Sequence, residues 1–438
     1  MEYISTTGTH TTDLRGAVLH CVAPDGSLYL PERLPQIPRA LFNNIDEMNL
    51  REIAYVVVST LMGGDIDPVL LKSIVDTTFS FPLPIKTLHA GLDVLELFDG
   101  PTLAFKDVGA RFVAEFFKTF NEPSPVKRVA IVATTGNTGA AIANAFAALK
   151  DIPLVILFPR GALSRSEQAM FTTIGTNIHA LDVSGNINQC KSMVREALGD
   201  TSLEGVLQPV CVNTHNILRI VPQVVFYFYA YARLKKRYGK ADGFTVSIPC
   251  GCLSSLTAAV MAKRMGLPMG RIVAGCNAND DFQRIMNGEI SLDKVNVNSR
   301  PTIAKAMDTG YPTNLERIVR LYGGSREAAA ADITAISLSD SMIADVITNE
   351  LCSSRYMVDP HTATALGALR MAGIDGSADC PALVLATAHP AKSLDIMTSI
   401  TGRAIELPLQ LTRFMSKGSQ PYKIPPTYPA LRRYLTTL

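Results

Sequence analysis

The chain has 438 residues, 47% hydrophobic and 18% charged, enough apolar material for a large core, which excludes a disordered or fibrous protein. At roughly 100–200 residues per domain, that length predicts two or three domains. Its 41 Lys and Arg against 39 Asp and Glu leave a net charge of +2, which gives no electrostatic reason to expect nucleic acid or an anionic membrane as partner. The eight cysteines include no CxxC pair and no zinc-like spacing with histidine, so no metal is expected. Isolated thiols in a long chain read as reduced and cytoplasmic. The start, Met1 to Thr6, lacks the basic and apolar blocks of a signal peptide. Val129 to Leu149 runs 21 residues without a charge, but Thr134-Thr135-Gly136-Asn137-Thr138-Gly139 at its centre makes it a strand, a turn and a helix rather than a membrane span.

In chain order, the first segment to about residue 95 mixes a turn-rich start with helical stretches near 50–62 and 68–77. Phe105, Val108, Phe112, Phe116 and Phe117 follow helical spacing, so a helix starts close to Lys106. Lys127 to Ala133 reads as a strand, followed by a helix over Ala140 to Lys150. Leu154 to Phe158 is the next strand, with a helix over Ser164 to Phe171. Thr245 to Ile248, Arg271 to Ala274 and Ala382 to Leu385 are further strands, and Leu256 to Met265 is an apolar helix. This alternation predicts an α/β fold with largely parallel sheets, whose ligands bind in the loops at the carboxyl ends of the strands. The stretch from about 405, richer in Pro, Lys and Tyr, reads as a surface tail.

Four segments carry candidate chemistry. A lysine in the first turn of a helix, Lys106, faces the positive end of the helix dipole, which disfavours its ammonium form; an uncharged amine is what a Schiff base with an aldehyde cofactor requires. A solvated lysine is the plain alternative. The Thr134–Gly139 turn between strand and helix suits a carboxylate or phosphate, or is an ordinary connection with a Thr cap. Ser247 to Ser255 places small residues and hydroxyls at another strand–helix junction, able to cup a phosphate. Ala386 to Lys392 carries a histidine and a lysine, either acid/base groups or a loop that shapes a pocket.

Taken together, these segments resemble the threonine synthase family, pyridoxal-phosphate enzymes of the tryptophan-synthase-β-like fold type II. The resemblance rests on Tyr3, Ser5 and Thr6, on Asp25 to Pro31, and above all on Gly100-Pro101-Thr102-Leu103-Ala104-Phe105-Lys106-Asp107. It continues through Phe158-Pro159-Arg160-Gly161, Asn213 to Arg219, Ala306-Met307-Asp308, Asp359-Pro360-His361 and Thr387-Ala388-His389-Pro390-Ala391-Lys392. It implies two parallel-sheet α/β domains with the cofactor in the cleft and a small N-terminal domain. The implied division is 1–95 for the N-terminal domain, 96–125 with 225–404 for the large cofactor-binding domain, 126–224 for the small domain, and 405–438 for the tail.

The resemblance also implies roles. Lys106 is the lysine that holds pyridoxal 5'-phosphate and shuttles protons, with Phe105 beside it. Asn137 lies by the cofactor's phenolic oxygen, and Thr387 faces the pyridine nitrogen and leaves it largely unprotonated. Gly251, Cys252, Leu253, Ser254 and Ser255 form the cofactor-phosphate loop. Thr135, Thr138, Asn213, Thr214 and Arg219 cradle the substrate's carboxylate and phosphate. The implied reaction converts O-phosphohomoserine and water to threonine and phosphate by γ-elimination and β-addition. The partner is a small amino-acid substrate, the protein a monomer or homodimer, and no regulatory domain is expected ahead of Tyr3.

The loop departs from the family's Ser-Gly-Asn-Phe-Gly pattern. Cys252 replaces the Asn, whose amide can reach the substrate's phosphate in relatives, and Ser254 replaces the second Gly, where a serine resists positive φ. Two alternatives therefore stand beside threonine synthesis: elimination or replacement on a related γ- or β-substituted amino acid, and a non-catalytic scaffold. Retention of Lys106, Asn137 and Thr387 argues against the last.

Overall fold

A computed structural model describes residues 1–120, 126–203, 205–415 and 420–438. Two β-sheets, each flanked by helices, face each other across a cleft. The larger has six strands in the order Ile333–Ser337, Met269–Cys276, Phe244–Pro249, Ala382–Ala386, Leu92–Glu96 and Ile85–His89. All neighbouring pairs are parallel except the last, which is antiparallel. The smaller sheet is parallel throughout, in the order Tyr422–Ile424, Ile178–Val183, Leu154–Pro159, Lys127–Ala133 and Leu207–Cys211. Its inner strands read RVAIV and LVILFP and are buried on both faces, as a parallel sheet covered by helices requires.

The strands and helices of the sequence reading stand within a few residues of their expected places, and the lysine helix, Lys106–Phe120, begins on Lys106 itself. Several features differ. Ile85–His89 and Leu92–Glu96, expected with the N-terminal segment, complete the large sheet, because every residue from 92 to 96 is buried against Ala382–Ala386. The helix Val221–Tyr238 runs through the expected boundary at 224/225 without a break.

The stretch after 405 is not a free tail in its described part. Tyr422–Ile424 adds an edge strand to the small sheet, and the helix Tyr428–Leu435 packs on the helix Ile187–Gly199. Leu431 and Leu435, four residues apart, form the buried stripe of that contact. Charged and proline residues on the opposite side gave this segment its tail-like composition.

The N-terminal part is a three-stranded antiparallel sheet (Thr11–Thr12, Tyr3–Ser5, Tyr29–Pro31) with helices Leu50–Met62 and Pro68–Thr78 beyond it. Asn49 and Glu52 close the first of these helices with a reciprocal capping box. Arg317 ties this sheet to both lobes. Fully buried, it donates to the carbonyls of Tyr29 (2.9 Å), Thr214 (2.8 Å) and His215 (2.6 Å) and to Asn314 Oδ1 (2.6 Å).

Docking of the C-terminal helix is testable. Leu431→Ala should lower the unfolding free energy by about 2–4 kcal/mol in urea titration, whereas a solvated tail would leave it unchanged.

Candidate active site

Every segment singled out for chemistry follows the carboxyl end of a strand. Gly100–Asp107 follows Leu92–Glu96, Gly251–Ser255 follows Phe244–Pro249, and Thr387 follows Ala382–Ala386. The Thr134–Thr138 turn and Asn213–Arg219 follow two strands of the small sheet. One cleft between the lobes is lined by Phe105, Lys106, Asn137, Gly251 to Ser255 and Thr387, which is the whole expected cofactor set. Thr135 opens with Asn137 onto an adjoining chamber that also contains Ser164, Glu167, Lys305 and Lys392. Asn213, Thr214 and Arg219 line neither space and stand behind Cys252. Thr138 is the second residue of the helix Asn137–Phe146.

Lys106 is held by its neighbours along the chain. Phe105 N–H donates to the Thr387 carbonyl (2.9 Å) and His389 N–H to the Leu103 carbonyl (3.1 Å), stitching the segment before the lysine to the end of the large sheet. Asp107, fully buried, accepts from Thr102 N–H (2.8 Å) and Thr102 Oγ1 (2.5 Å). Lys392 Nζ in turn donates to the Thr102 carbonyl (2.9 Å). Burial pushes the Asp107 carboxyl up, against the pull of Thr102 and Lys392. Burial also brings Lys392 down to about 8, opposed by Asp107 and Glu167. His389 Nδ1 accepts from Ala391 N–H (3.1 Å). The histidine and lysine of the fourth segment are therefore engaged in shaping the loop.

The Lys106 amine lies 4.2 Å from the centre of the Phe105 ring and 3.9 Å from Cys252 Sγ. Burial lowers its pKa, Cys252 opposes that shift and Arg219 adds to it. For Cys252, burial alone would raise the thiol, but Lys106 and hydrogen bonding with Ser254 and Thr214 outweigh it and lower it to about 7. Both shifts are downward, each group drawn toward its less protonated form by the other or by burial. The amine is easily made neutral.

The loop opposite is rigid. The Cys252 carbonyl accepts from Asn314 N–H (3.2 Å) and Nδ2 (2.9 Å), and Cys250 N–H donates to the Gly275 carbonyl (2.8 Å). A Cβ at Gly251 would stand 2.8 Å from Met307 Cα, so only glycine fits there. The left-handed residue is Leu253 (φ 61°), not Ser254, which is the first residue of the helix Ser254–Arg264. The expected conflict of serine with positive φ is thus moved to a leucine, at a cost of about 1–2 kcal/mol. That turn aims the unpaired first N–H groups of the helix at the cleft, an anion site by construction. Ser255 Oγ is already committed to Gln223 Oε1 (2.8 Å).

On the small lobe, Thr134 Oγ1 accepts from the N–H groups of Gly136 (3.1 Å) and Gly139 (2.9 Å). The first N–H groups of the helix Asn137–Phe146 stay open to an anion. Arg219 is fully buried and its Nε has no acceptor. Gly109, one turn into the lysine helix, lets it approach: a Cβ there would stand 3.2 Å from that Nε. Asn213 Oδ1 is occupied by His215 N–H (2.8 Å), so that residue shapes its own turn.

The sequence reading gave no role to Ala306, Met307 or His361, which also line the cleft. His361 Nε2 accepts from Ala306 N–H (3.1 Å), and its Nδ1 is paired with buried Asp359. The motifs containing these residues were visible, but nothing in a linear sequence brings residue 306 to residue 361. Among the described residues no cluster has the makings of a metal site. A half-buried amine whose pKa is lowered by desolvation, facing an amide cradle with no room for a side chain at Gly251, fits an aldehyde cofactor bearing a phosphate.

Comparison with known proteins agrees. The family described as pyridoxal-phosphate dependent enzyme matches residues 93–385, and that described as threonine synthase N terminus matches residues 2–79. The threonine synthase of Serratia marcescens is 32% identical over 94% of this chain and 93% of its own. The crystal structure of Escherichia coli threonine synthase superimposes with a TM-score of 0.91 at 29% identity, covering 100% of both chains. That of the Brucella melitensis threonine synthase with pyridoxal phosphate bound gives 0.88 at 28% identity, covering 100% of this chain and 99% of the other.

The Thr102–Asp107 contact can be probed directly. Thr102→Val removes a hydroxyl from a buried carboxyl and should cost about 1.5–3 kcal/mol in unfolding free energy, read by urea titration.

Proposed function

The chain belongs to the threonine synthase family of pyridoxal-phosphate-dependent enzymes, and from that membership we propose how its own residues divide the work. The reaction is conversion of O-phosphohomoserine and water to threonine and phosphate, a lyase chemistry. One observation carries the assignment of roles: the amine of Lys106 is desolvated at the head of a helix, on the floor of the cleft between two α/β lobes.

Bound pyridoxal phosphate supplies an electron sink that acidifies the hydrogens on the substrate's Cα and Cβ. Lys106 is the base for those protons. Its lowered pKa favours the neutral amine that a base requires. Cys252, 3.9 Å away, stabilises the charge when Lys106 holds the proton and releases it when the proton moves on. The Gly251–Ser255 turn would hold the cofactor's phosphate through backbone N–H groups, which would make loss of the family's Asn side chain at Cys252 tolerable there. Thr387 and Asn137, which line the cleft with Lys106, would hold the cofactor's ring, the one through an uncharged hydroxyl and the other through an amide.

Thr135 and Thr138, with the open N–H groups of their helix, take the substrate's carboxylate. Thr214 and Arg219 take its phosphate, and Asn213 shapes their turn. Arg219 is suited to the task because its buried fork has no protein acceptor on Nε. The eight cysteines are free in the structure, in keeping with a reducing, cytoplasmic setting, and no described helix is long and apolar enough to cross a membrane.

The test is release of equimolar threonine and phosphate from O-phosphohomoserine. Lys106→Ala should lower kcat by at least about 10³-fold. Arg219→Ala should lower kcat/KM by about 10–150-fold, the equivalent of one charge-assisted contact of about 1.5–3 kcal/mol. Turnover surviving in Lys106→Ala would contradict the assignment.

A further inference from the structure

One cationic face has no role in the account above. On the helix Ile187–Gly199, capped by Asn186, the residues Asn188, Lys191 and Arg195 recur at helical spacing and share one side. Asn188 shows where that side looks. Its Nδ2 donates to the Val297 carbonyl at 3.1 Å and to Asn298 Oδ1 at 3.4 Å, both on a segment of the opposite lobe. Lys191 and Arg195 therefore stand along the space between the lobes.

Neither makes a hydrogen bond or an ion pair with a carboxylate among the described residues. Lys191 is half-buried, and the groups whose charges act on it are Cys252 and Arg195, a thiol and another cation. His215, on the turn between Asn213 and Arg219, is brought down to about 3 by burial and by Arg317, Arg195 and Lys191, so it stays neutral. Arg219, fully buried with an unpartnered Nε, feels the same Cys252 and, more weakly, Asp107. Lys106, Lys191 and Arg219 thus converge on one thiol, from three different elements.

Half-buried Lys191 and the buried Nε of Arg219 each lack a hydrogen-bonded acceptor among the described residues, and a multiply charged anion between them would supply one. The cofactor's phosphate has its own cradle at the start of the helix Ser254–Arg264 and needs no side-chain cation. The substrate's phosphate has lost the amide that the family pattern offers at position 252. We infer that Lys191, backed by Arg195, closes over the phosphate of the amino-acid substrate from the small lobe and completes the anion site that Arg219 begins. This rests on the reading of the substrate as O-phosphohomoserine. Lys191 is then a specificity-determining residue: it selects a phosphorylated γ-substituent over a neutral one.

The experiment uses cofactor-loaded enzyme and inorganic phosphate, the reaction's second product, as the probe. Calorimetric titration of phosphate into wild type, Lys191→Ala and Lys191→Arg should give a Kd raised about tenfold or more by the alanine change. The arginine variant should restore most of the affinity. All three should keep the cofactor's near-violet absorption, and KM for O-phosphohomoserine should rise in Lys191→Ala by more than kcat falls. An unchanged phosphate Kd in Lys191→Ala overturns the inference. So does loss of the absorption band, which would assign Lys191 to the cofactor instead. Lys191-dependent phosphate binding in a wild-type enzyme that does not turn over O-phosphohomoserine supports the anion site and overturns the substrate reading.

Discussion

The Lys106 amine has to be desolvated and immobile at once, and the architecture around it follows from that requirement. A free lysine side chain loses much conformational entropy when it is fixed, and its charge resists burial. Here the backbone before it is stitched to Thr387–His389, and the residue after it, Asp107, is locked beneath by Thr102. The lysine is thereby presented at the first position of its helix, where the dipole and burial both favour the neutral amine. Lys392 offsets the buried carboxyl that does the locking, which gives a lysine in a pocket-forming loop a structural reason to be there.

Around that amine, the two lobes contribute complementary anion sites. The large lobe offers backbone N–H groups at the start of the helix Ser254–Arg264, and the small lobe offers the Asn137–Phe146 helix start. Arg317 fastens the N-terminal sheet to the turn carrying Thr214 and Arg219, so the otherwise separate N-terminal part also holds the turn behind Cys252. The same arginine holds Asn314, which pins the Cys252 carbonyl. One buried side chain therefore sets both walls.

Much of this was legible in the sequence because it is local. The continuous apolar run of Lys127–Ala133, the alternation of strand and helix, and the aromatic spacing that starts the lysine helix are short-range patterns. The residues expected to hold the cofactor were legible through motifs that resemble a known family, and the structure brings all of them to one cleft. What was not legible depends on distant partners. The C-terminal helix looks like a tail until Leu431 and Leu435 meet the helix Ile187–Gly199. The positive φ falls on Leu253 rather than Ser254 because Met307 crowds Gly251 and Asn314 fixes Cys252, neither of which is near in sequence. The pairing of His361 with Ala306 joins stretches of the large lobe that lie far apart in sequence.

The central claim is that Lys106, alone among the lysines, is the covalent anchor of the cofactor. Borohydride reduction of the pyridoxal-phosphate-loaded protein, followed by proteolysis and mass spectrometry of the modified peptide, tests it most directly. The account predicts one stoichiometric modification, on the peptide containing Lys106, and none in Lys106→Ala. Modification of a different lysine in the native protein, Lys392 or Lys191 included, would contradict it.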